Sequence, residues 1–437
     1  MQQRVFRLPL SLTMAALGWL VVGSIAATAA PSPLPFDDDS FQPSSVSFGG
    51  ADPLETTRTV EHWAGQTTNP LDGVTYRYNM VGVDPSTDGS TTVGVDIIPL
   101  DVTVGDLTFS GSDSVPGVLA SPLFHNFNYS SAMFGTIRDP ATGVCCVRRW
   151  TGSPIRISSG NTGQLVDVTM RSQFNKVGSD YHLYLDTPTV YDPVAISVPG
   201  NHGTVLTSPV GVQAADVDLG WFQTRVHNLM GKLHLDPTRL AIFLTTDVVL
   251  FRGKDPMNCC VLGGHGAGSA TGNGNGSVSG NGNQPVQTFV WSSWLTPGFT
   301  GPRAWINKDI SGLSHEITEW AVDPFNNNTA QSWSVPNAPQ YGCSDELETG
   351  DPTINTGFSV GTPGANVYDQ NPFPQFPRNP FSDGMFHVQD EALLPWFMRL
   401  PDDNTSSQPT QSGSGGRYTL MGDQNPLPWF HAPAATC

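Results

Sequence analysis

Three ionisable residues lie close together in the second half of the chain: His315, Glu316 and Glu319. In a helix, His315 and Glu319 are one turn apart on the same face, so an imidazole nitrogen and a carboxylate oxygen can bind one metal ion. Glu316 is rotated by about 100° from His315 and can reach a water molecule on that ion. This spacing permits metal-assisted hydrolysis with Glu316 as the general base.

The pattern is the His-Glu-x-x-His helix of metalloproteases with Glu319 in place of the second histidine. Glutamates are common on helix surfaces, so a solvated helix face is the alternative interpretation. Only 13% of the residues of this chain are charged. Three ionisable groups on one short helix are therefore unusual here, which favours the metal site.

A helix is predicted across residues 309–324. Its apolar residues recur at helical spacing and form a face opposite His315: Ile310, Leu313, Ile317, Trp320 and Ala321. Asp309 or Ser311 can cap the start, and Asp323 precedes a proline that ends the helix. Such a helix is expected in the wall of a cleft.

The composition describes an acidic, loop-rich protein. The chain has 437 residues, a formal net charge of −18, 46 glycines and 37 prolines. An acidic chain without a basic run excludes nucleic acid as an expected partner and disfavours anionic membranes. The glycine and proline content is typical of an extracellular protein rather than a helical cytosolic one.

Residues 1–29 are predicted to be a secretory signal peptide. Arg4 and Arg7 precede the apolar stretch 8–25, and residues 27–29, Ala-Thr-Ala, form a cleavage site before Ala30. A retained membrane anchor is the alternative, because the apolar stretch is near the lower length limit for a span. We expect a secreted protein, extracellular or periplasmic, with no membrane attachment after the signal is removed.

Export permits disulfide bonds. The candidates are the six cysteines of the chain: Cys145, Cys146, Cys259, Cys260, Cys343 and Cys437. Neighbouring cysteines rarely bond to each other, so each member of the two adjacent pairs is expected to bond elsewhere. A cysteine metal site is the alternative, although the chain lacks Cys-x-x-Cys spacing.

The amino-terminal half is expected to be β-rich. Residues 30–66 are rich in Pro, Ser and Asp and predict an extended leader. In the β-rich region, residues 67–160, and just beyond it, short apolar runs bounded by turn residues predict strands. These runs are residues 74–81, 92–100, 118–120 and 181–185.

The carboxyl-terminal half mixes helical and strand patterns, so the fold class is predicted to be α+β. An amphipathic helix is predicted for residues 214–233, and buried strands for residues 240–251 and 287–294. Between these strands, residues 263–284 form a Gly/Asn/Ser tract that is expected to be flexible and exposed.

Residues 314–324, Ser-His-Glu-Ile-Thr-Glu-Trp-Ala-Val-Asp-Pro, resemble a family of secreted zincin-like proteins. In that family a His-Glu-x-x-Glu helix ends in Asp-Pro and precedes a Glu-x-Gly-Asp segment, which here is residues 348–351. Residues 259–266 and 387–391 also resemble parts of it. A weaker resemblance to plant phosphate-induced (EXORDIUM-like) proteins covers Cys260, residues 264–266 and residues 316–323. The resemblance implies that residues 161–437 form a zincin-like domain, a mixed sheet with an active-site helix.

The resemblance also implies that Glu348 joins the two helix ligands as the third protein ligand, with Glu316 as the base. Zn²⁺ is the expected ion, and the oxygen-rich set leaves Ca²⁺ or Mn²⁺ as alternatives. Tyr341, His387 or His265 could assist the oxyanion, and the sequence does not choose among them.

These expectations describe a secreted metal-dependent hydrolase, similar to a zinc metallopeptidase, with an extracellular peptide or protein substrate. The alternative is a catalytically inactive secreted binding or adhesion protein that keeps a structural metal site.

Overall fold

The computed structural model describes residues 58–129, 133–135, 162–174, 176, 178–208, 210–256, 258–269, 285–300, 307–334, 342–354, 357–369, 381–400 and 418–420. All of them belong to the unit Pro35–Cys437. The predicted signal peptide, Tyr341 and the cysteines at 145, 146 and 437 lie outside the described residues. Among the residues described, no helix is long and apolar enough to span a membrane.

This part of the chain is a strand-rich mixed α/β structure with several sheets. The strands, in chain order, are β1 His62–Thr68, β2 Thr75–Val81, β3 Ser90–Val93, β4 Val95–Val104, β5 Leu107–Ser110, β6 Phe127–Asn128, β7 Met133–Gly135, β8 Thr162–Gly163, β9 His182–Leu185, β10 Thr189–Val190, β11 Val194–Val198, β12 Gly203–Thr207, β13 Gln213–Asp218, β14 Leu240–Thr246, β15 Val248–Phe251, β16 Cys259–Val261, β17 Gly263–Ser269, β18 Val286–Trp294, β19 Thr329–Ser334, β20 Cys343–Glu346, β21 Gly357–Val360 and β22 Phe386–Gln389. The α-helices are α1 Val115–Leu119, α2 Leu165–Gln173, α3 Leu219–Leu233, α4 Ser311–Val322 and α5 Leu394–Phe397.

The largest sheet has seven strands in the order β10-β4-β14-β18-β17, with β11 and β5 also paired to β4. The pairs of β4 with β10, β11 and β14 and the β14–β18 pair are parallel, whereas β17 runs antiparallel to β18. Every residue of β14 and β18 is buried, as expected for central strands covered on both faces. The sheet takes strands from both sides of residue 160, so the predicted boundary between the β-rich region and the zincin-like domain falls between strands of one sheet.

The main core lies where α3 packs against this sheet. Leu219, Phe222, Val226 and Met230 recur at helical spacing on the buried side of α3. They pack with apolar side chains of the sheet, which include Phe243, Phe289 and Trp291. The helix begins at its cap residue Asp218, whose carboxylate accepts a hydrogen bond from the Trp221 amide at 2.9 Å.

Helix α4 carries the predicted metal-binding residues and packs against β17, β18, β22 and α2. Its end is confirmed, because Asp323 is the residue after the last helical turn. The predicted start is wrong: the cap position is Ile310, which makes no side-chain hydrogen bond there. Asp309 instead accepts hydrogen bonds from the backbone of His387 and the side chain of Asn366. All twelve residues of α4 are buried, so the helix is surrounded by protein rather than lining an open cleft.

Several strand predictions are confirmed by β2, β9 and β18. The run at 92–100 spans two strands, β3 and β4, and the run at 240–251 is divided at Asp247, which has a φ of 50°. Residues 118–120 were predicted as a strand, but Val118 and Leu119 end helix α1 and Ala120 is its cap residue. The helix has a proline in its first turn. The predicted helix at 214–233 starts late, because β13 occupies its first residues.

The first part of the predicted flexible tract is a buried strand. Residues 263–268 of β17 are buried and pair with β18. Glycine content alone suggested a mobile loop. The reason for the difference is packing, because this strand lies against α4 so closely that a side chain does not fit at Gly263.

Cys259 and Cys260 form a disulfide bond with each other, so the expectation that each bonds elsewhere is wrong. The peptide bond between them is cis, and their Cα atoms are 3.1 Å apart. Cys343 is also disulfide-bonded.

Asp216 lies on β13, in the four-stranded sheet β12-β13-β15-β16, and its buried carboxyl should affect the stability of the protein. It is fully buried, and neither of its carboxylate oxygens accepts a hydrogen bond from the part of the chain that the structure describes. Burial raises the pKa of Asp216 to about 7. Because this value lies above the unfolded value of about 4, the carboxyl costs stability increasingly as the pH rises from 4 to 7.

Asp216→Asn should therefore gain stability relative to the wild type across that pH range, by roughly 1.4 kcal/mol per pH unit at most. Urea unfolding at pH 4, 5.5 and 7 measures this difference. The exposed Asp106→Asn is the matched control and should follow the wild type. A constant difference between Asp216→Asn and the wild type would show that folding leaves the pKa of Asp216 unchanged.

Candidate metal centre

The candidate site lies where α4, β17 and the segment after β20 meet. His315, Glu316 and Glu319 project from α4, and His265 comes from β17. The two histidines and these two glutamates have no exposed side-chain surface, whereas the side chain of Asp351 is 19% exposed. The site is therefore buried, with its accessible edge at Asp351.

Glu319 is at the centre of this arrangement. Its Oε1 accepts hydrogen bonds from the backbone amides of Gly350, at 2.8 Å, and Asp351, at 3.2 Å. Its Oε2 is buried and lies 2.8 Å from His315 Nε2 without hydrogen-bond geometry. One oxygen thus fixes the carboxylate, and the other is directed into the site.

His265 directs Nδ1 toward the carboxylates of Glu316 and Glu319. Its Nε2 lies 3.1 Å from the Asp323 carbonyl oxygen, and because a carbonyl only accepts, Nε2 carries the proton. Burial lowers the pKa of His265 to about 4, so the ring is neutral at neutral pH. The lone pair of Nδ1 then faces Glu316 Oε2 at 3.4 Å and Glu319 Oε2 at 3.8 Å. Electron-rich atoms facing one another in this way are stabilised by a cation between them.

His315 is held from the other side by β22. The side-chain amide nitrogen of Gln389 donates to the Gly350 carbonyl at 2.5 Å and lies 2.8 Å from His315 Nδ1. His315 Nε2 faces the carboxylates, at 3.7 Å from Asp351 Oδ1 and 3.9 Å from Glu316 Oε1. With the amide nitrogen at Nδ1, a neutral His315 carries its proton on Nε2.

The donor atoms fall into two groups that share Glu319. The first comprises His265, Glu316 and Glu319, and the second His315, Glu319 and Asp351. Within each group the atoms lie within 4.8 Å of one another. Each group offers one imidazole nitrogen and two carboxylates, a set that could hold a divalent metal ion such as zinc.

Glu348, the predicted third ligand, belongs to neither group. It is buried, with Oε2 at 3.8 Å from Nε2 of His265, the ring nitrogen opposite the one that faces Glu316. Sequence reasoning did not select Asp351 or His265 as ligands. Asp351 ends the Glu-x-Gly-Asp segment and His265 lies in the Gly-rich stretch, so both were visible in the sequence but lacked a spacing that assigns them.

His387, a predicted auxiliary, is engaged elsewhere. Its Nδ1 lies 3.2 Å from Asp309 Oδ1 and its Nε2 lies 3.2 Å from Asp383 Oδ2. Burial alone would lower the pKa of His387, but the two aspartates outweigh burial and raise it to about 10. His387 therefore forms a buried ion pair at the start of α4.

Two glycines allow the close packing of the site. A Cβ at Gly263 would lie 2.5 Å from Glu316 Cγ, and a Cβ at Gly350 would lie 2.6 Å from His315 Cε1. Both distances are below any that real Cβ atoms show. The backbone therefore covers the Glu316 and His315 side chains directly, which only glycine permits at these positions.

No protein-family model, no curated protein and no solved structure matches this chain. The geometry of the two donor groups is therefore the basis for a functional proposal.

Gly350→Ala should displace the His315 ring, because the added methyl group overlaps it. Overpacking of this kind costs about 1–3 kcal/mol of stability, and the metal affinity should fall with it. Thermal unfolding and a zinc titration measure both effects. Gly200→Ala, at an exposed position with no neighbouring atom within 4 Å, is the control. Unchanged unfolding and affinity in Gly350→Ala would contradict this close contact.

The His387 ion pair should make stability depend on pH. The pKa of about 10 in the folded protein exceeds the unfolded value of about 6.5. The stabilisation is therefore complete below pH 6.5 and is lost as the pH rises through 10, at roughly 1.4 kcal/mol per pH unit at most. His387→Gln should be less stable than the wild type at pH 6, and the difference should shrink by pH 10. Urea unfolding at both pH values measures this, and a difference independent of pH would contradict the ion pair.

Proposed function

We propose that this protein is a secreted metal-dependent hydrolase of peptide-like bonds, similar to zincin-like metallopeptidases. The observation that carries the proposal is the group His315, Glu319 and Asp351, with Glu316 beside it. Hydrolytic zinc sites use three protein ligands and keep a further position open. This group provides three donors and includes the partly exposed Asp351, where a substrate can approach.

The order of the chain also supports a zincin-like arrangement. Strand β18 is followed by α4, and α4 packs against β18 and the antiparallel edge strand β17. The assignment to the zincin-like family is part of the proposal. It depends on the His-Glu-x-x-Glu and Glu-x-Gly-Asp segments, which the fold brings together through the hydrogen bonds of Gly350 and Asp351 to Glu319.

A bound divalent ion would supply Lewis acidity, polarising the carbonyl group of a substrate. Glu316 would accept the proton of the attacking water, because its Oε1 lies on the side of His315 Nε2, 3.9 Å away. His265 limits the movement of Glu316 through the 3.4 Å contact of Nδ1 with Oε2. The backbone amides at 350 and 351 hold Glu319 in place.

Gln389 adds a requirement for ion binding through His315. Ligation by Nε2 requires the ring proton on Nδ1, whereas the amide nitrogen of Gln389 lies at Nδ1 in this structure. Rotation of the amide would bring its oxygen to Nδ1 as an acceptor and would break the hydrogen bond that its nitrogen donates to the Gly350 carbonyl. Loading of this group is therefore coupled to a rearrangement of the Gln389 side chain.

The site of action is proposed to be outside the cytoplasm, in the extracellular space or the periplasm. The support is the predicted signal peptide at residues 1–29 and the disulfide bonds at Cys259, Cys260 and Cys343. Extracellular peptides or proteins are the corresponding substrates.

A secreted binding protein with a structural metal ion is the second candidate. The observation that favours it is the burial of the cluster, because structural metal sites are closed and catalytic sites keep an open position. In that case the ion would stabilise the contact of α4 with its neighbours, and Glu316 would have no role as a base.

Glu316→Gln distinguishes the two candidates. In a hydrolase it should retain the ion held by His315, Glu319 and Asp351 and lose about 100-fold or more in kcat, because it removes the base and none of the ligands of that ion. His315→Ala should lose both metal and activity. Metal content by mass spectrometry and cleavage of a peptide library measure these outcomes, with the exposed Glu61→Gln as the control. Activity of Glu316→Gln equal to the wild type would contradict the mechanism, and metal-dependent stability without any cleavage would favour the structural candidate.

Asp351→Asn and Glu348→Gln test the third ligand in the same assays. The proposal expects Asp351→Asn to lose metal affinity and Glu348→Gln to retain it. The reverse result would assign the third ligand to Glu348.

A further inference from the structure

We infer that the cluster binds a second divalent ion through His265 Nδ1, Glu316 Oε2 and Glu319 Oε2, with Glu319 shared by the two ions. This inference rests on the proposed function, which assigns the first ion to His315, Glu319 and Asp351. The second site lies deeper in the protein, because all three of its residues have no exposed side-chain surface.

The hydrogen bonding of His265 is the first observation. The contact of Nε2 with the Asp323 carbonyl oxygen, at 3.1 Å, is shorter than the contact of Nδ1 with Glu316 Oε2, at 3.4 Å. In the tautomer that carries its proton on Nε2, Nδ1 offers a lone pair to the two glutamate oxygens. Histidine ligands of metals are commonly fixed in this manner, with one ring nitrogen donating to a carbonyl and the other binding the ion. The shorter contact with Asp323 O thus favours the tautomer that binds a metal through Nδ1.

The spacing of the donors is the second observation. Donors about 2.0–2.2 Å from one tetrahedral ion are about 3.4 Å apart. The separation from His265 Nδ1 is 3.4 Å to Glu316 Oε2 and 3.8 Å to Glu319 Oε2. Both distances from His265 Nδ1 are within a few tenths of an ångström of that value, and the three donor atoms lie within 4.8 Å of one another.

Glu319 Oε2 supplies the third observation. It is fully buried and, among the described residues, accepts no hydrogen bond. It lies between the two imidazoles, 2.8 Å from His315 Nε2 and 3.8 Å from His265 Nδ1. A buried carboxylate oxygen between two ring nitrogens is suited to contact two cations at once.

Charge and burial indicate the role of this second ion. The three carboxylates of the two groups, Glu316, Glu319 and Asp351, would balance three of the four positive charges of two divalent ions, so ions and buried carboxylates would largely compensate one another. Its ligands join β17 to α4, and it is closed to solvent as structural metal sites are. Glu316 would bind it through Oε2 and keep Oε1 on the side of the proposed catalytic group.

The number of ions bound per chain tests this inference. Purified full-length protein is stripped with a chelator, dialysed against Zn²⁺ and analysed by mass spectrometry for zinc and by calorimetry for binding steps. The wild type should bind two ions per chain. His265→Ala and Asp351→Asn should each bind one, and the exposed His125→Ala should bind two.

The outcomes separate this inference from the proposed function. One ion in the wild type that is retained in His265→Ala and lost in Asp351→Asn overturns the second site and leaves the proposed function standing. One ion that is lost only in His265→Ala overturns the assignment of the first ion, and with it the two-ion centre. No bound zinc overturns both. If His265→Ala does not fold, the count for the wild type still decides, because a single ion excludes the two-ion centre.

Discussion

The burial of ionisable side chains on helix α4 is the constraint on which the rest of the site depends. Every charged group on a helix that is buried on all sides needs a partner from the surrounding elements, because an uncompensated buried charge costs several kcal/mol. Glu319 meets this requirement at Oε1, through backbone amides of the segment after β20, and directs Oε2 into the site. His315 meets it through β22, and Glu316 lies against β17. The elements around α4 are thus arranged by the needs of its polar residues.

Close backbone packing is the means by which these partners reach the helix. Gly263 and Gly350 each lie directly against a site residue, Glu316 and His315 respectively. Larger residues would separate β17 and the 350 segment from α4 and open the cluster to water. Exclusion of water raises the strength of every electrostatic contact in the site. The same packing limits access and leaves Asp351 as the partly exposed edge of the cluster.

The centre is also connected to a second polar cluster at the start of α4. Alternate residues of β22 point to the same side, so Gln389 reaches His315 and His387 reaches Asp309. One short strand therefore orients both a proposed ligand and the first turn of the helix. This explains why His387, although close in sequence to Gln389, has a structural role rather than a place among the donors.

The sequence by itself determined the elements with strong periodicity and local chemistry. The helix around His315 and Glu319, its end at Asp323 and the strands at β2, β9 and β18 follow from patterns within a few residues. The tertiary structure decided which distant residues join the helix. His265 was expected in a flexible tract, and it became a donor because β17 pairs with β18 and packs under α4. Asp351 and Glu348 are three residues apart, and only the path of the backbone places the former beside His315 and the latter behind His265. Spacing along the chain fixes neighbours on one helix, but convergence of separate segments depends on sheet pairing and packing, which no local pattern encodes.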